Sequence, residues 1–251
     1  MIFLKVDELI QKIDQIIEQT QRLKKSMLYR LFTRGIQHTN FKNTTIGKLP
    51  QDWMVVTLKD IIQSYKNGIY KQPKYHGKGI PNIRMFNIKD GKINTIGAPL
   101  IDVTEQEALD YELKIGDILI NRVNSSDLVG KAGIVKEDLG RVVFDSMNIR
   151  ARVWTEKCDP MFLSYFFNTR AYYQQIRSAI KLAVAQSSIN QQDLDNVQLG
   201  LPPIFEQRAI ISTLSKIEEK AELYNREGNM TEILRRGLMR KLLTGQIRVK
   251  V

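Results

Sequence analysis

At Val6–Ile36 the sequence reads VDELIQKIDQIIEQTQRLKKSMLYRLFTRGI, and at Ile217–Ile247 it returns in degenerate form as IEEKAELYNREGNMTEILRRGLMRKLLTGQI. The two copies align with a constant offset of 211 residues (217 − 6). Residues that are identical in this register include Thr20 and Thr231, Leu23 and Leu234, Leu31 and Leu242, Thr33 and Thr244, and Ile36 and Ile247. The repeat predicts two copies of one helix on either side of a domain that occurs once.

The apolar residues of both copies follow a heptad spacing. In the first copy, position a falls on Val6, Ile13, Thr20 and Met27, and positions at or beside d fall on Leu9 or Ile10, Ile16 or Ile17, Leu23, and Leu31. In the second copy the seam runs through Ile210, Leu214, Ile217, Ala221, Tyr224, Thr231, Leu234, Leu238 and Leu242. Gly228-Asn229 interrupts it, and we expect a weakened or bent helix there. Two amphipathic helices packed on one core would show the same spacing.

Helix signals and the repeat together predict the domain boundaries. Pro202-Pro203 before Phe205 predicts the start of the second helix, and Thr244-Gly245 predicts its end. A helix of roughly 40 residues would be about 60 Å long. We therefore expect an N-terminal helix and linker at 1–49, a globular domain at 50–201 and a C-terminal helix at 202–251.

Composition limits the class of protein. With 251 residues, 43% of them hydrophobic and 26% charged, the chain is long enough to bury one sizeable core. The single cysteine, Cys158, excludes an internal disulfide, and neither a signal-peptide pattern nor an 18-residue apolar run occurs, so we expect a cytoplasmic protein. A net charge of +11 suggests a polyanionic partner.

Charges in the middle of the chain are sorted by sign. A basic segment contains only one acidic residue, Asp90, among Lys66, Lys71, Lys74, Lys78, Arg84, Lys89 and Lys92. An acidic segment follows it with Asp102, Glu105, Glu107, Asp110, Glu112 and Asp117. This sorting can give the domain one basic face, although a solvated loop of mixed charge would explain it as well.

The middle of the chain is typical of a mixed α/β domain with short strands. Runs that favour strands lie at Asn82–Ile88, Asp117–Val123, Ala132–Lys136, Val142–Phe144 and Asn148–Trp154. A helix is predicted at about Pro160–Ile180, with Phe162, Tyr165, Phe166, Tyr173 and Ile176 on its apolar face. We interpret those aromatic residues as core. The predicted fold class is thus α/β: one mixed α/β domain flanked by two long antiparallel coiled-coil helices.

No catalytic motif is present. The two histidines, His38 and His76, and one cysteine cannot supply a zinc site of the usual nitrogen and sulfur ligands. The Gly77 and Gly79 pair lacks the third glycine of a dinucleotide loop, and no phosphate-binding P-loop occurs. We therefore expect a chain that is not an enzyme and that binds neither a metal nor a cofactor.

Two polar segments carry side chains suited to reading DNA. Arg binds guanine and Asn binds adenine, whereas Ser and Lys suit phosphates. The first segment, Asn121–Lys131, follows a predicted strand, and the second, Lys181–Leu194, follows the predicted helix and includes Ser188, Asn190 and Gln191. Either could be an ordinary polar turn. Together with the basic segment they give the DNA-binding candidates Tyr70, Lys71, Lys74, Arg84, Arg122, Asn124, Ser125, Lys131, Lys181, Gln186 and Ser187.

Several stretches resemble the DNA specificity subunits of type I restriction-modification systems. They are LPQDWMVVTLKDI (Leu49–Ile61), IPNIRMFNIKDGKI (Ile80–Ile93), YELKIGDILINRVNSSDLVGKAGIV (Tyr111–Val135), LPPIFEQRAIISTLSKIEEK (Leu201–Lys220) and GLMRKLLTGQIRV (Gly237–Val249). The resemblance implies a target recognition domain at 50–201 between helical spacers. It also implies a non-catalytic subunit that brings a methyltransferase subunit, and through the complex a restriction/translocase subunit, to double-stranded DNA. S-adenosylmethionine and ATP would then be bound by those partners.

The chain departs from the family in copy number. Family members usually hold two recognition domains and two spacers, whereas this chain resembles a half-size form with a single recognition domain. We expect a homodimer through the spacer helices, because a single helix pair would leave Ile13, Ile17, Leu234 and Leu238 incompletely covered. The expected DNA target is a bipartite inverted repeat. The alternatives are a truncated fragment of a two-domain subunit, a coiled-coil scaffold that binds protein instead of DNA, and a DNA-modifying enzyme.

Overall fold

The computed structural model describes residues 2–179, 181–182, 187–244 and 246. Its helices are α1 (Ile2–Arg34), α2 (Leu58–Ile61), α3 (Glu105–Tyr111), α4 (Pro160–Phe166), α5 (Arg170–Ala179), α6 (Gln191–Asp195) and α7 (Ile204–Leu243). Short 3-10 turns lie at Pro73–Tyr75 and Met85–Asn87. The second long helix begins directly after Pro202-Pro203 and has 40 residues, as the sequence predicts. Within the described residues, no helix combines the length and apolarity that a membrane span requires.

The strands are short and form five small sheets. They are β1 (Phe41–Thr44), β2 (Gly47–Pro50), β3 (Met54–Thr57), β4 (Ile62–Asn67), β5 (His76–Ile83), β6 (Ile88–Lys89), β7 (Lys92–Ile93), β8 (Leu100–Ile101), β9 (Ile118–Asn121), β10 (Val123–Asn124), β11 (Ala132–Ile134), β12 (Val143–Phe144), β13 (Asn148–Val153), β14 (Lys181–Leu182), β15 (Ser187–Ser188) and β16 (Gln198–Leu201). The largest sheet has six strands in the order β4-β13-β9-β11-β7-β6. The smaller sheets are β12-β5-β8, β10-β15-β14, β16-β3 and β1-β2.

The chain divides into two compact units. The helical unit contains the residues up to Leu28 and those from Ser212 onward, and the globular unit runs from Tyr29 to Ile211. The last turn of α1 belongs to the globular unit because the Phe32 ring stacks on Phe162 with 4.8 Å between ring centroids. The globular unit is therefore wider than the 50–201 expected from the sequence.

In the helical unit, α1 and α7 pack against each other in opposite directions. The Lys24 ammonium lies 2.6 Å from the Glu218 carboxylate, and Arg235 Nε lies 2.7 Å from Asp7 Oδ1. Between these two ion pairs, Gly228 faces Ile13. The residue numbers of the partners rise along α1 as they fall along α7, so these contacts run in opposite directions along the two helices.

The seam between these helices differs from the predicted one. Leu23 and Leu234, which are equivalent in the repeat, are 51% and 57% exposed. The contact with α7 that was expected from Leu23 is made by Lys24, whose ammonium donates a hydrogen bond to Glu218. Ile13, expected to remain partly uncovered, is only 5% exposed. Placing position d on Leu23 was wrong because the contacting face of α1 passes through Ile13, Thr20 and Lys24. The same position of both repeat copies therefore points away from the helix pair.

Gly228 does not end α7, which runs unbroken through it. A Cβ atom at this position would lie 3.2 Å from Ile13 Cγ2, so glycine allows the two backbones to approach closely. Gly237, on the same helix, has open space where its Cβ would be. The interruption of the heptad pattern at Gly228 is a close-packing position rather than a break.

These two glycines provide a matched pair of substitutions. We expect Gly228→Leu to lower the free energy of unfolding by about 1–3 kcal/mol because the side chain must displace Ile13. Gly237→Leu should instead be neutral or raise it by up to about 1 kcal/mol, since leucine is the better helix former. Urea unfolding monitored by circular dichroism measures both. Equal effects of the two substitutions would contradict the close approach at Gly228.

In the globular unit, the aromatic residues after β13 form core, as the sequence predicts. Phe162, Tyr165, Phe166 and Ile176 are all buried. Tyr173, predicted on the same face, is half-buried, while its neighbour Tyr172 is fully buried and donates to the Gly130 carbonyl oxygen at 2.8 Å. Helix α4 lies against β11 of the six-stranded sheet, and Tyr172 holds Gly130 within the Asn121–Lys131 segment.

Two predicted elements are broken in the structure. The single helix expected at Pro160–Ile180 is divided into α4 and α5, because the Thr169 hydroxyl accepts from the Tyr172 backbone N–H and so caps a new helix. The strand expected at Asn82–Ile88 ends at Ile83, where Arg84 begins a 3-10 turn closed by the Asn87 side chain. The strands expected at Asp117–Val123, Ala132–Lys136, Val142–Phe144 and Asn148–Trp154 are confirmed with shorter bounds.

Candidate nucleic-acid interface

The turn between β12 and β13, Asp145–Asn148, is where several loops meet. Backbone hydrogen bonds of 2.8 to 3.1 Å join this turn, or Phe144 just before it, to three other segments. Ser146 N–H donates to the Ile69 carbonyl, Asp145 N–H to that of Ile83, and Arg122 N–H to that of Met147. A fourth segment joins through Ile189 N–H, which donates to the Arg122 carbonyl at 3.0 Å. Segments far apart in the sequence thus converge at one end of the sheet.

This convergence brings together both polar segments predicted to read DNA. Strand β10 pairs with β15, so Asn124 lies opposite Ser187 and Val123 opposite Ser188. Strand β14 pairs with the other side of β15, which places Lys181 opposite Ser188. Tyr70 and Arg84 enter the same region, because each directly follows a residue bonded to the turn. The sequence predicted the two segments separately, and the structure shows them side by side.

A buried asparagine network holds Asn124 in place. Asn124 Nδ2 donates to Asn121 Oδ1 at 2.8 Å, and Asn121 Nδ2 donates to the Met147 carbonyl at 3.1 Å. Asn121 and Asn148 are fully buried, and their side chains contact each other at 3.3 Å. The network links β9, β10 and β13 through side-chain amides. Sequence reasoning missed the roles of Asn121 and Asn148, because a buried asparagine looks like any turn residue in the sequence.

Arg84 and Asp145 make the interface electrostatically mixed. Arg84 Nε is buried without a hydrogen-bond partner and lies 4.0 Å from Asp145 Oδ2. Burial raises the pKa of the Asp145 carboxyl, while a hydrogen bond from the Met147 N–H and the charge of Arg84 act in the opposite direction. The carboxylate therefore offsets part of the positive charge that Arg84 brings to this surface.

The basic segment does not form the free basic face that its charge sorting suggested. Lys71 Nζ lies 2.6 Å from the Glu107 carboxylate, and this hydrogen bond is the main reason why the pKa of Glu107 is lowered. Lys78 pairs with Asp102 at 3.0 Å. The sorted segments pair with each other across the fold, so much of the basic charge is neutralised locally. Lys74 is exposed, with its ammonium 5.0 Å from the centre of the Tyr75 ring.

The remaining candidates differ in exposure. Tyr70 is 75% exposed, Ser125 is exposed, and Lys131 is half-buried. Ser187 is buried within the three-stranded sheet, so in this structure its side chain is part of the protein interior. The backbone of Lys181 lies in β14, and Gln186 lies outside the described residues. Exposed apolar side chains of Met85 and Phe86 lie next to these polar groups, because Asn124 Nδ2 is 3.2 Å from Met85 Sδ.

An open polar pocket adjoins β10. It is lined by Asn67, Arg122, Asn190, Gln191 and Gln192. Asn67 and Gln192 were absent from the predicted set, and Gln191 was noted only as part of a polar segment. The Asn190-Gln191-Gln192 run is a signal that the sequence does contain, but Asn67 arrives from β4, which the sequence did not predict.

No metal centre is recognisable at this interface. Across the part of the chain that the structure describes, no three His, Cys, Asp or Glu side chains come close enough together to hold a metal ion. The convergent side chains are amides, guanidinium groups, hydroxyls and a tyrosine, which suit the hydrogen-bonding edges of bases and phosphate oxygens. Their chemistry makes this surface a candidate for contact with nucleic acid.

Comparison with known proteins identifies relatives across nearly the whole chain. The chain is 33% identical over 207 residues to the putative type I restriction enzyme MjaX specificity subunit of Methanocaldococcus jannaschii, covering 82% of this chain and 48% of the relative. It is 31% identical to the MjaVIII specificity subunit of the same organism, covering 97% and 58%. The EcoKI specificity subunit of Escherichia coli is 24% identical, with coverage of 73% and 42%. The chain spans about half the length of these curated relatives.

Solved structures show the same fold. The HsdS subunit from Thermoanaerobacter tengcongensis matches 98% of this chain and 56% of its own, with a TM-score of 0.61 and 18% identity. The type I restriction-modification system S subunit from M. genitalium matches 96% and 58%, with a TM-score of 0.59 and 13% identity.

The family model named type I restriction modification DNA specificity domain matches residues 50–232. That range includes four of the five sheets, the Asp145–Asn148 turn, the polar pocket and much of α7, whereas the β1-β2 sheet lies almost wholly before it. Because the match covers well over half of the sequence, the chain belongs to the type I restriction-modification DNA specificity family.

Proposed function

We propose that this chain is a sequence-specific DNA-binding subunit, which directs the methyltransferase and restriction subunits of a type I restriction-modification system to a bipartite target site. The observation that carries the proposal is the convergence of Arg84, Arg122 and Asn124 on the Asp145–Asn148 turn, in a chain of this family. Base-reading side chains must be held in place. Here backbone bonds and the asparagine network provide that support.

The side chains divide by chemistry into two kinds of contact. Arg122 and Asn124 carry the donors and acceptors that discriminate guanine and adenine edges. Tyr70, Lys74, Ser125 and Lys131 lie around them and suit phosphates, which fix the position of the protein without reading sequence. Lys71, held by Glu107, contributes less than its charge suggests unless DNA displaces that carboxylate. The alternative of a protein-binding scaffold would leave this polar convergence without a use.

Catalysis would belong to the partners. In this proposal a methyltransferase subunit binds S-adenosylmethionine, a restriction subunit binds ATP, and this chain supplies only the target sequence. The complex would work in the cytoplasm, where its DNA substrate lies.

The helical unit would act as a coiled-coil spacer and as a pairing surface for a second copy. Apolar side chains that the α1/α7 pair leaves exposed support this part of the proposal; they are Leu9, Leu23, Leu223, Met230, Ile233 and Leu234. Two copies related by a two-fold axis would cover them, and isologous pairing is the commonest arrangement of soluble homo-oligomers. Two identical recognition domains would read an inverted repeat. The DNA between the half-sites would not be read.

We expect no methyl transfer by the isolated chain and adenine methylation at one specific motif when a cognate methyltransferase subunit is added. The reason is that the sequence contains no cofactor-binding motif, whereas the candidate interface carries side chains that can form hydrogen bonds with bases. The incorporation of label from S-adenosylmethionine into DNA measures methyl transfer. Single-molecule sequencing of the methylated DNA gives the motif and its symmetry.

Three outcomes would count against parts of this proposal. Methyl transfer by the isolated chain would refute its role as a non-catalytic subunit. DNA affinity that does not fall as salt rises would refute phosphate contacts and favour the protein scaffold. A continuous or asymmetric motif, or a monomer in light scattering at micromolar concentration, would refute the symmetric pair and leave DNA recognition standing.

A further inference from the structure

The polar pocket beside β10 has one charged side chain and four neutral amides in its lining. Resting on the proposed function, we infer that this pocket receives the edge of one guanine, with Arg122 donating to its O6 and N7 and with Gln191 and Gln192 contacting the neighbouring base. This assignment adds Gln191 and Gln192 to the reading surface and gives Arg122 a defined partner.

Arg122 is held rigidly at its backbone. Its N–H donates to the Met147 carbonyl at 2.8 Å, and its own carbonyl accepts from Ile189 N–H at 3.0 Å. The preceding residue, Asn121, is fully buried in the asparagine network. A side chain that begins from so fixed a backbone can present a guanidinium group with little loss of conformational entropy on binding.

The guanidinium group of Arg122 is without a partner in the part of the chain that the structure describes. Its Nε is buried and makes no hydrogen bond, and it forms no ion pair among the described residues. Buried donors are normally satisfied, and an unsatisfied one calls for an explanation such as an absent ligand. The other arginines of the neighbouring sheet behave differently, since Arg152 is bound by Asp117 and Arg150 donates to the Glu112 carbonyl.

The amides of the pocket are not equivalent. Asn190 is committed to the fold, because its Oδ1 accepts from Asp193 N–H at 2.9 Å and so caps α6. That cap fixes Gln191 and Gln192 as the first two residues of the helix, at the pocket wall. Gln191 Nε2 makes only a long contact of 3.5 Å with Asn67 Oδ1, which leaves it able to exchange partners.

The chemistry of the pocket favours guanine at the position of Arg122. Guanine presents two adjacent acceptors, O6 and N7, in the major groove, and arginine is the side chain that most often contacts both. No carboxylate lines the pocket to accept from a cytosine amino group. Glutamine amides combine a donor with an acceptor and match the N6 and N7 atoms of adenine, so an adenine beside the guanine is the natural neighbour.

The test uses the complex with its methyltransferase subunit and the motif that methylation mapping returns. Duplexes carry 7-deazaguanine at each guanine of the motif in turn, which removes the N7 acceptor and keeps base pairing. At one position we expect wild-type affinity to fall by roughly 5- to 150-fold. Arg122→Ala should lose that discrimination, and its methylation motif should become degenerate at the same position. Arg170→Ala removes an exposed arginine at the start of α5 and should change neither result.

The outcomes separate this inference from the proposed function. A wild-type complex without any specific motif would refute the proposed function itself. A specific motif that contains no guanine, or a wild-type protein indifferent to 7-deazaguanine at every position, would refute the guanine assignment alone. Should Arg122→Ala fail to fold, Arg122→Gln replaces it and is expected to shift the preference at that position from guanine to adenine. An unchanged guanine preference in a folded Arg122 variant would also overturn the assignment.

Discussion

Glu206→Ala is expected to lower the free energy of unfolding by about 3–5 kcal/mol, because it removes a buried charged acceptor from several donors at once. Glu206 is only 5% exposed. Its carboxylate accepts from the Trp53 indole N–H and from the Ile36 backbone N–H, each at 3.0 Å, and lies 2.9 Å from His38 Nε2. The fully buried Trp53 N–H would be left without water to replace the carboxylate, and the half-buried Ile36 N–H and His38 would lose their shared partner.

Chemical denaturation of the full chain measures this effect. Glu219→Ala is the matched control, because this glutamate lies on the same helix with an exposed side chain, and its loss should change the free energy of unfolding by less than about 0.5 kcal/mol. Glu206→Gln should fall between the two, since an amide oxygen still accepts from one or two donors. If Glu206→Ala and Glu219→Ala unfolded alike, the carboxylate would not hold Trp53 and the end of α1.

This carboxylate also explains a glycine. Gly35 follows α1 with a φ of +60°, and a Cβ there would lie 2.5 Å from Glu206 Oε1 and 2.9 Å from the Trp53 ring. Glycine therefore serves two purposes, as the left-handed residue that ends a helix and as the space for a buried ion. A glycine is a common signal for the end of a helix, but only the structure reveals the carboxylate behind it.

Periodic apolar patterns predicted the elements of this fold whose stability depends on burying one face. The two long helices, the core aromatics of α4 and α5 and four of the strands follow from spacing alone. The same reasoning treats polar residues as surface, and so it gives no reason to expect Glu206 and Gln207 to be buried. Both are buried, and Gln207 accepts from the Asp159 N–H and donates to the Pro202 carbonyl. Patterns of hydrophobicity cannot report buried polar groups that are satisfied by distant partners.

The candidate site shows the same division. Residue chemistry selected Arg122, Asn124 and Arg84 as DNA-binding candidates in separate segments, and only the structure brings those segments together at one end of the sheet. The sequence could not predict that Lys71 would be held by Glu107 or that Ser187 would be buried, since both depend on pairing between segments far apart in the chain. The prediction that Leu23 of α1 lies in the seam with α7 did not hold for a related reason. Lys24 occupies that place because Glu218 of α7 lies within reach.

Asp117 shows how such long-range pairing holds the sheet that carries the interface. It is 2% exposed and directly precedes β9, and the sequence places it both in the acidic segment and at the start of a predicted strand. Its carboxylate accepts from Arg152 Nε at 2.6 Å and Nη2 at 3.0 Å, and from the Lys114 backbone N–H at 2.9 Å. Arg150 Nε lies 3.9 Å away. The hydrogen bond to Asp117 raises the pKa of Arg152, whereas burial lowers the pKa of Arg150.

We expect Asp117→Ala to cost about 3–5 kcal/mol of unfolding free energy, because it leaves the buried Arg150 without a counter-charge and Arg152 without its bidentate partner. Asp127→Ala, at an exposed loop position, is the control and should be near neutral. A variant that combines Asp117→Leu with Arg150→Met and Arg152→Met should regain much of the loss, since apolar replacements of a buried ion cluster are often tolerated.

Asp117→Ala should also affect DNA binding at the candidate interface. Strands β9 and β13 deliver Asn121 and Asn148 to the asparagine network, and Asp117 ties the start of one strand to arginines of the other. Below its unfolding midpoint, Asp117→Ala should therefore weaken specific DNA more than nonspecific DNA, because base contacts need fixed geometry and phosphate contacts do not. Competition binding with both DNAs measures the ratio. A ratio that stayed at the wild-type value would show that this ion cluster stabilises the sheet without positioning the residues that read DNA.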